Sequence, residues 1–219
     1  MKKLITFDCY GTLLDTRPFL EEIQRIGAER QENGLQLSQL YELNEARLMY
    51  AEPFLPLDEL IGEALERCDV ILGTDFMAAQ RERLLRVQNA LKPFPEVVPV
   101  LRELRNRGYY LVIMSNSCHS IMNNNLKALE HQVDDVVLAE DVQAYKPQLA
   151  FFQQVETRLT TKEREHWHVA QGYFDDIIPG LRKQWKRVWV NRNGERGQAK
   201  WKPEHEVRTL DEILPLFPG

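Results

Sequence analysis

Short apolar runs separated by longer amphipathic stretches predict a chain of alternating strands and helices. The first run, Leu4 to Phe7, stops abruptly at Asp-Cys-Tyr-Gly-Thr, a pattern typical of a buried strand that enters a glycine turn. Further strands are predicted at 109–114, 135–138, 168–170, 187–190 and 206–208. Helices are predicted between and after them, at 96–107, 120–129, 147–159, 177–184 and 210–216.

The alternation of strands with helices predicts an α/β fold, in which a parallel sheet is covered on both faces. Residues 17–91 differ, because long stretches rich in Glu, Arg, Gln and Leu repeat apolar positions at the helix period. We therefore expect a core made of residues 1–16 and 92–219, interrupted after its first strand by a helical cap at 17–91.

Polar side chains follow several of the predicted strands at the point where each strand ends. Asp8, Ser115 and the pair Asp175 and Asp176 occupy such positions. In open parallel sheets the ligand crevice lies at the carboxyl ends of the strands, so these residues are expected to meet there. The helical insert would cover the crevice and exclude water.

Composition and charge limit the kinds of partner that the chain is expected to bind. The formal charge is −5 and the chain has no long basic run; the dense basic patch at 182–187 is interpreted as a solvated helix face, so no nucleic-acid partner is expected. The three cysteines have no metal or disulfide spacing, and no apolar stretch is long enough to span a membrane. We expect a cytoplasmic protein that acts on a small molecule, with a homodimer left open.

Four segments together resemble the motifs of the haloacid dehalogenase-like superfamily. They are residues 7–15 (FDCYGTLLD), Ser115-Asn116, Lys146-Pro147 and Asp175-Asp176, in that order along the chain. The resemblance implies a Rossmann-like core with a helical cap inserted after the first motif. It also implies a hydrolase that forms a covalent intermediate on a carboxylate.

Each matched residue has an expected role in that chemistry. Asp8 would be the nucleophile, and Gly11 would permit the close turn beside it. Thr12 and Ser115 could donate hydrogen bonds to the anionic part of a substrate or intermediate. Lys146 would lower the pKa of Asp8 and keep it ionised.

Asn116 belongs to the second motif and Asp176 to the fourth, and both are counted among the catalytic residues. Asp176, with Asp175, could orient a water, anchor Lys146 or coordinate a metal. A magnesium ion, if present, would be held by Asp8, Asp175 and Asp176. His166 and His168 lack metal spacing and are interpreted as the lead-in to a strand.

Departures from the superfamily pattern bear on the reaction. Tyr10 stands where phosphatases of the superfamily usually carry a second Asp, and losing that acid should slow phosphate-ester cleavage by about a hundredfold. Halide leaves without a proton, so the motif favours displacement at carbon. Gln171 replaces a carboxylate of the magnesium-dependent relatives, which weakens a magnesium site.

The cap also departs from the dehalogenase branch, which uses an arginine there to receive halide or substrate. Glu42 stands near that place, and Arg47 could substitute for the arginine. Besides Arg47, the predicted substrate-binding residues are Tyr10, Gly11, Gln171 and Tyr173.

Three functions stay open on this evidence. The first is displacement on a small carboxylic-acid-type substrate through Asp8, with no cofactor required. The second is a magnesium-dependent phosphatase acting on a small phosphoester. The third is a degenerate relative that binds a ligand without turnover, which Glu42 and the altered fourth motif favour.

Overall fold

The computed structural model describes residues 3–219 and contains eight strands within that range. The strands are β1 (Leu4–Phe7), β2 (Leu14–Asp15), β3 (Lys92–Pro93), β4 (Tyr110–Ser115), β5 (Asp135–Leu138), β6 (His166–Ala170), β7 (Lys186–Val190) and β8 (His205–Val207). Six of them form one sheet in the order β5-β4-β1-β6-β7-β8, with every neighbouring pair parallel. The predicted α/β class with a Rossmann-like parallel sheet is confirmed.

The central strand β1 is fully buried because it has a strand on each side and helices over both faces. Its side chains alternate between two cores: Leu4 packs in one, and Ile5 and Phe7 pack in the other. The core that contains Leu4 continues into the helical insert, where it includes Phe19 and Tyr41.

Four helices follow β2 and precede β3. They are α1 (Arg17–Glu29), α2 (Gly34–Leu48), α3 (Leu57–Leu72) and α4 (Arg81–Asn89). Local signals define their ends: the Asn33 side chain accepts a hydrogen bond from the backbone N–H of Gln36 at the start of α2, and Gly73 ends α3 in the left-handed conformation. The short antiparallel pair β2–β3, unanticipated from the sequence, lies at the two points where this insert joins the core. The domain division at 16/17 and 91/92 stays a prediction.

The remaining helices cover the sheet. They are α5 (Val97–Asn106), α6 (His119–Ala128), α7 (Ala139–Val142), α8 (Leu149–Leu159) and α9 (Ile178–Arg182). No helix of the described chain is both long and apolar enough to traverse a lipid bilayer.

Three local predictions differ from the structure. Residues 210–216 form a 3₁₀ helix, with Pro215 inside it, instead of an α-helix. Strand β6 begins at His166, so the residues interpreted as its lead-in belong to the strand. A single π-helical turn, Tyr173–Ile177, precedes α9, and such turns occur frequently at functional sites.

Candidate active site

The carboxyl edge of the sheet holds a buried cluster of two carboxylates and one ammonium group. Asp8 follows β1, and Asp176 lies in the π turn after β6. Lys146, just before α8, places its Nζ atom 2.8 Å from Asp8 Oδ1 and 2.7 Å from Asp176 Oδ1. The same ammonium donates to the carbonyl oxygen of Met114 at 3.1 Å. Residues far apart in sequence therefore meet around one cation.

The glycine turn after β1 holds the second oxygen of Asp8. Thr12 Oγ1 donates to Asp8 Oδ2 at 2.6 Å and accepts a hydrogen bond from the backbone N–H of Gln171 at 2.7 Å. The turn needs Gly11, because its φ is +79° and an added Cβ would lie 3.1 Å from the Gln171 side chain. Thr12 thus donates to Asp8 itself, whereas the sequence suggested a donor to the substrate.

Asn116 fixes the position of the lysine. Its side-chain Oδ1 accepts from the backbone N–H of Lys146 at 2.7 Å, and its Nδ2 donates to the Lys146 carbonyl at 3.0 Å. This paired contact ties the segment after β4 to the start of α8. Asn116 therefore acts on Asp8 through Lys146, and it also lines the cavity described below.

A buried histidine that the sequence interpretation missed supports Asp176. His168 Nε2 lies 3.0 Å from Asp176 Oδ1, and its Nδ1 lies 2.9 Å from Thr6 Oγ1. Thr6 Oγ1 is also 2.8 Å from Nε2 of His166. Asp176 Oδ1 accepts a hydrogen bond from His168 Nε2–H, and His168 Nδ1 lies beside both the hydroxyl and, at 3.2 Å, the carbonyl oxygen of Thr6. The two-residue period of β6 was the signal that His166 and His168 share one face.

Burial and charge set the ionisation of this cluster. Burial raises the pKa of Asp8 above its ordinary value; Lys146 opposes that effect and Asp176 adds to it. Burial alone would raise the pKa of Asp176, but Lys146 and the His168 hydrogen bond hold it below its ordinary value. Lys146 therefore does lower the pKa of Asp8, as the sequence suggested, but burial raises it by more, so the net shift is upward.

Tyr10 lies beside the nucleophile but its hydroxyl is directed elsewhere. The hydroxyl donates to Asn125 Oδ1 at 2.9 Å and lies 2.9 Å from Ser117 Oγ. Burial raises the pKa of Tyr10 far above its ordinary value. The side chain therefore forms part of the wall and holds no acidic proton near Asp8.

A cavity of about 430 Å³ lies between the sheet edge and the insert. Its floor contains Asp8, Lys146 and Asp176, and its upper wall comes from α1, α2 and α3, with Gln88 from α4. The residues that line it are Asp8, Tyr10, Gly11, Thr16, Phe19, Leu20, Tyr41, Glu42, Glu45, Ala46, Met49, Leu57, Ile61, Gln88, Asn116, Lys146, Gln171, Gly172, Asp175 and Asp176. Its size and single nucleophile suit a small organic molecule.

Four residues expected at the site do not line this cavity; one is Thr12, which is fully buried and acts on the cavity only through its hydrogen bond to Asp8. Ser115 Oγ is fully buried and has no hydrogen-bond partner among residues 3–219. Tyr173 packs on Trp189, and its hydroxyl bonds to the backbone of Gln198. Arg47 is exposed because the cavity face of α2 carries positions 42, 45, 46 and 49, and residue 47 falls on the opposite side of the helix.

The donor set fits a magnesium ion poorly. Lys146 Nζ lies between Asp8 and Asp176, where a cation bridging those carboxylates would have to sit. Gln171 supplies a neutral oxygen at the position of a further carboxylate. Within residues 3–219, no group of three or more His, Cys, Asp or Glu side chains has the arrangement to hold a metal ion.

The fold and this cluster define the class of protein. A family model described as haloacid dehalogenase-like hydrolase matches residues 2–177, and the chain belongs to that family. It is thus a hydrolase of the haloacid dehalogenase-like superfamily, as the four motifs indicated.

Individual relatives place the chain near dehalogenases. It is 26% identical to (S)-2-haloacid dehalogenase 4A of Burkholderia cepacia, over 96% of this chain and 93% of that protein. A solved structure of L-2-haloacid dehalogenase from Xanthobacter autotrophicus, with chloropropionic acid covalently bound, superposes with a TM-score of 0.80 at 18% identity, covering 99% and 98% of the two chains. The chain is also 24% identical to glyceraldehyde 3-phosphate phosphatase of Methanothermobacter thermautotrophicus, over 99% and 98% of the two lengths.

Proposed function

We propose that the protein hydrolyses a small carboxylic-acid-type molecule that bears a halogen, by displacement at carbon with Asp8 as the nucleophile. A carboxylate oxygen of Asp8 attacks the carbon that bears the halogen, the carbon–halogen bond breaks, and halide leaves with the bonding electron pair. Water then attacks the carboxyl carbon of the resulting ester, which releases the alcohol and restores Asp8.

One observation supports this proposal most directly: Asp8 faces the cavity with both oxygens held, and Tyr10 stands two positions on, where it offers no carboxylic acid to a leaving group. Lys146 and Thr12 hold the carboxylate in one orientation, which reduces the entropy that must be lost when it attacks the substrate. The Tyr10 hydroxyl donates to Asn125 and lies beside Ser117. A leaving alkoxide needs a proton and halide does not, so this arrangement favours halide.

The second step needs a water and a group that orients it. We assign that role to Asp176, with Asp175 beside it in the cavity wall. Burial, with the charge of Asp176, raises the pKa of Asp175 to about 6. Asn116 serves as a positioning residue for Lys146, and Gly11 and Gln171 shape the wall at the nucleophile. The reaction requires no cofactor.

Halide release distinguishes this proposal from its two alternatives. The protein is incubated with a panel of small 2-chloro acids and their amides and, separately, with p-nitrophenyl phosphate, each with EDTA and with magnesium. We expect halide release that EDTA leaves unchanged and that falls by about a thousandfold or more in Asp8→Asn.

The other outcomes select the alternatives. Phosphate release that needs magnesium would favour the phosphatase. Binding of the compounds with no release of halide or phosphate, unchanged in Asp8→Asn, would favour the relative without turnover.

We propose a cytoplasmic location for the enzyme. The three cysteines, Cys9, Cys68 and Cys118, are all buried free thiols, which suits a reducing compartment. The homodimer that the sequence leaves open is tested by light scattering of the purified chain.

A further inference from the structure

The α2–α3 segment, residues 49–56, joins two helices of the insert and lies against the core just before α8. The hydroxyl of Tyr145 donates to the carbonyl oxygen of Leu55 at 2.7 Å, and Nε2 of Gln148 donates to the carbonyl oxygen of Met49 at 3.0 Å. These two donors flank the lysine of the site along the chain. One short stretch of the core therefore carries that lysine and also holds both ends of the α2–α3 segment.

The contact between the α2–α3 segment and the core is packed as well as hydrogen-bonded. The side chain of Tyr145 is 2% exposed, and its ring stacks on the ring of Phe54 with 5.1 Å between centroids and 28° between planes. Sδ of Met49 lies 4.0 Å from Nδ2 of Asn116, the residue whose side chain pairs with the backbone of Lys146. The α2–α3 segment thus contacts both stretches of the core that position the lysine.

Lys146 cannot move without disturbing the nucleophile. Its ammonium lies 2.8 Å from Asp8 and 2.7 Å from Asp176, and its backbone N–H and carbonyl are both bonded to Asn116. Tyr145 precedes it directly, and a planar peptide unit transmits a shift of one residue to the next. The position of the ammonium against the nucleophile therefore depends on where the insert holds Tyr145.

The same contact forms part of the boundary of the cavity. Met49 from the insert and Asn116 from the core lie side by side, and both line it. If the insert lifted from the core at this point, the cavity would open on this side and the lysine would lose its support at the same time. Opening of the cavity and loss of the site geometry are thus one event.

We propose that Tyr145 is a positioning residue, which sets Lys146 against Asp8 while the insert rests on the core. The inference rests on the proposed function, because it concerns how the nucleophile of that reaction is oriented. Tyr145 does not line the cavity, so its hydroxyl acts through the peptide that joins it to Lys146. Displacement then takes place in a closed cavity, from which bulk water is excluded.

The test removes the Tyr145 hydroxyl and compares that change with a matched change elsewhere. Tyr145→Phe keeps the ring on Phe54 and deletes the bond to Leu55. Tyr109→Phe is the control, because the Tyr109 hydroxyl also donates to a backbone carbonyl oxygen, that of Pro218 at 3.0 Å, and its ring also contacts a phenylalanine ring. The control lies on the other side of the core and away from the cavity.

Two quantities are measured for the parent chain and for both variants. The first is the rate constant of halide release in EDTA with enzyme in excess of 2-chloropropionate and above its KM, which does not depend on the fraction of folded enzyme. The second is hydrogen exchange at the backbone N–H of Lys146, which donates to Asn116. We expect Tyr145→Phe to lower the rate constant about 10-fold and to speed the exchange about 10-fold, the size expected for one lost hydrogen bond, whereas Tyr109→Phe should change neither.

A second variant and the contrary outcomes complete the test. Gln148→Met removes the other donor to the α2–α3 segment and should change both quantities as Tyr145→Phe does. Asp8-dependent halide release that Tyr145→Phe leaves unchanged would overturn the inference and leave the proposed function standing, as would a lower rate with unaltered exchange at Lys146 or equal changes in both tyrosine variants. No Asp8-dependent release from the parent chain would contradict the proposed function, and the exchange at Lys146 would then decide alone whether Tyr145 positions it.

Discussion

The floor and the upper wall of the cavity differ in how completely their polar groups are paired. In the floor, Asp8 and Asp176 are buried, and Lys146 bonds to both. In the wall, Glu42 and Glu45 face the cavity with only the Tyr41 hydroxyl as a partner for Glu45. The difference indicates that the floor holds its geometry without a substrate, whereas the carboxyl groups of the wall have no lysine or arginine beside them among the residues that line the cavity.

Removing the cation should have the largest effect on the floor. Lys146→Met leaves two buried carboxylates unpaired, so we expect a loss of about 3–5 kcal/mol in the free energy of unfolding at pH 8. Without the ammonium, the folded-state pKa values of Asp8 and Asp176 both rise, so the variant should regain stability as pH falls and the carboxylates protonate. Urea unfolding from pH 5 to 8 measures this.

A surface variant provides the control for that experiment. Lys3→Met removes an exposed pair with Glu165, which is 3.5 Å away, and should change stability by at most about 1 kcal/mol with no new pH dependence. Equal losses in the two lysine variants would mean that the cluster of Asp8, Lys146 and Asp176 is not a buried charge system.

Removing His168 should weaken the support of Asp176 without removing the nucleophile. His168→Leu deletes the donor 3.0 Å from Asp176 Oδ1, so we expect kcat to fall by about 10- to 100-fold while KM changes little. Because Asp176 then loses a partner that favours its charged form, the acid limb of the kcat profile should move to higher pH. A purely structural role would lower the amount of folded enzyme and leave that limb in place.

The control for His168 is the exposed His205 on β8. His205→Leu alters only a ring contact with Trp167, 5.6 Å between centroids, and should leave kcat and its pH profile unchanged. An identical shift in both variants would contradict the role assigned to His168.

A substitution in the upper wall should have a smaller effect, and we expect to see it in the free energy of unfolding instead of in the turnover rate. The folded-state pKa of Glu45 is about 7, against an unfolded value of 4.5. Between these values the folded chain binds a proton that the unfolded chain has lost, so stability falls as pH rises from 4.5 to 7 and then levels off. We expect Glu45→Gln to remove a change of about 3 kcal/mol from the urea-unfolding profile. A profile identical to that of the parent would contradict the burial of this carboxyl.

The sequence predicted the parallel sheet because each buried strand is a short apolar run with a polar residue at its end. The sequence also predicted that Asp8, Lys146 and Asp176 lie close together, because the carboxyl ends of parallel strands meet at one edge of the sheet. The two-residue period of β6 places His166 and His168 on one face of the sheet, but the role of His168 was not predicted, because a strand covered on both faces does not show which face approaches the site. Ser115 was expected at the site from its motif, but it does not line the cavity, and its buried hydroxyl has no hydrogen-bond partner among the described residues.

The wall was harder to predict than the floor. Its residues come from four helices that carry no recognisable motif. Which of them face the site can be predicted only from the helical periodicity, that is, from the side of each helix on which they fall. That information was available for α2: positions 42, 45, 46 and 49 follow the three- and four-residue period, which would have excluded Arg47 and included Glu45. Where α1 and α3 approach the sheet depends on packing between distant residues, which the local pattern does not encode.

Oxygen labelling can detect the ester that Asp8 forms with the substrate. Excess enzyme is mixed with 2-chloropropionate in H₂¹⁸O, and the mass of the peptide that contains Asp8 is measured after a single turnover. The account predicts one ¹⁸O atom in the Asp8 carboxylate and unlabelled oxygen in the first product. Label found in the first product, with none in Asp8, would mean that water attacks the substrate directly and would contradict the account.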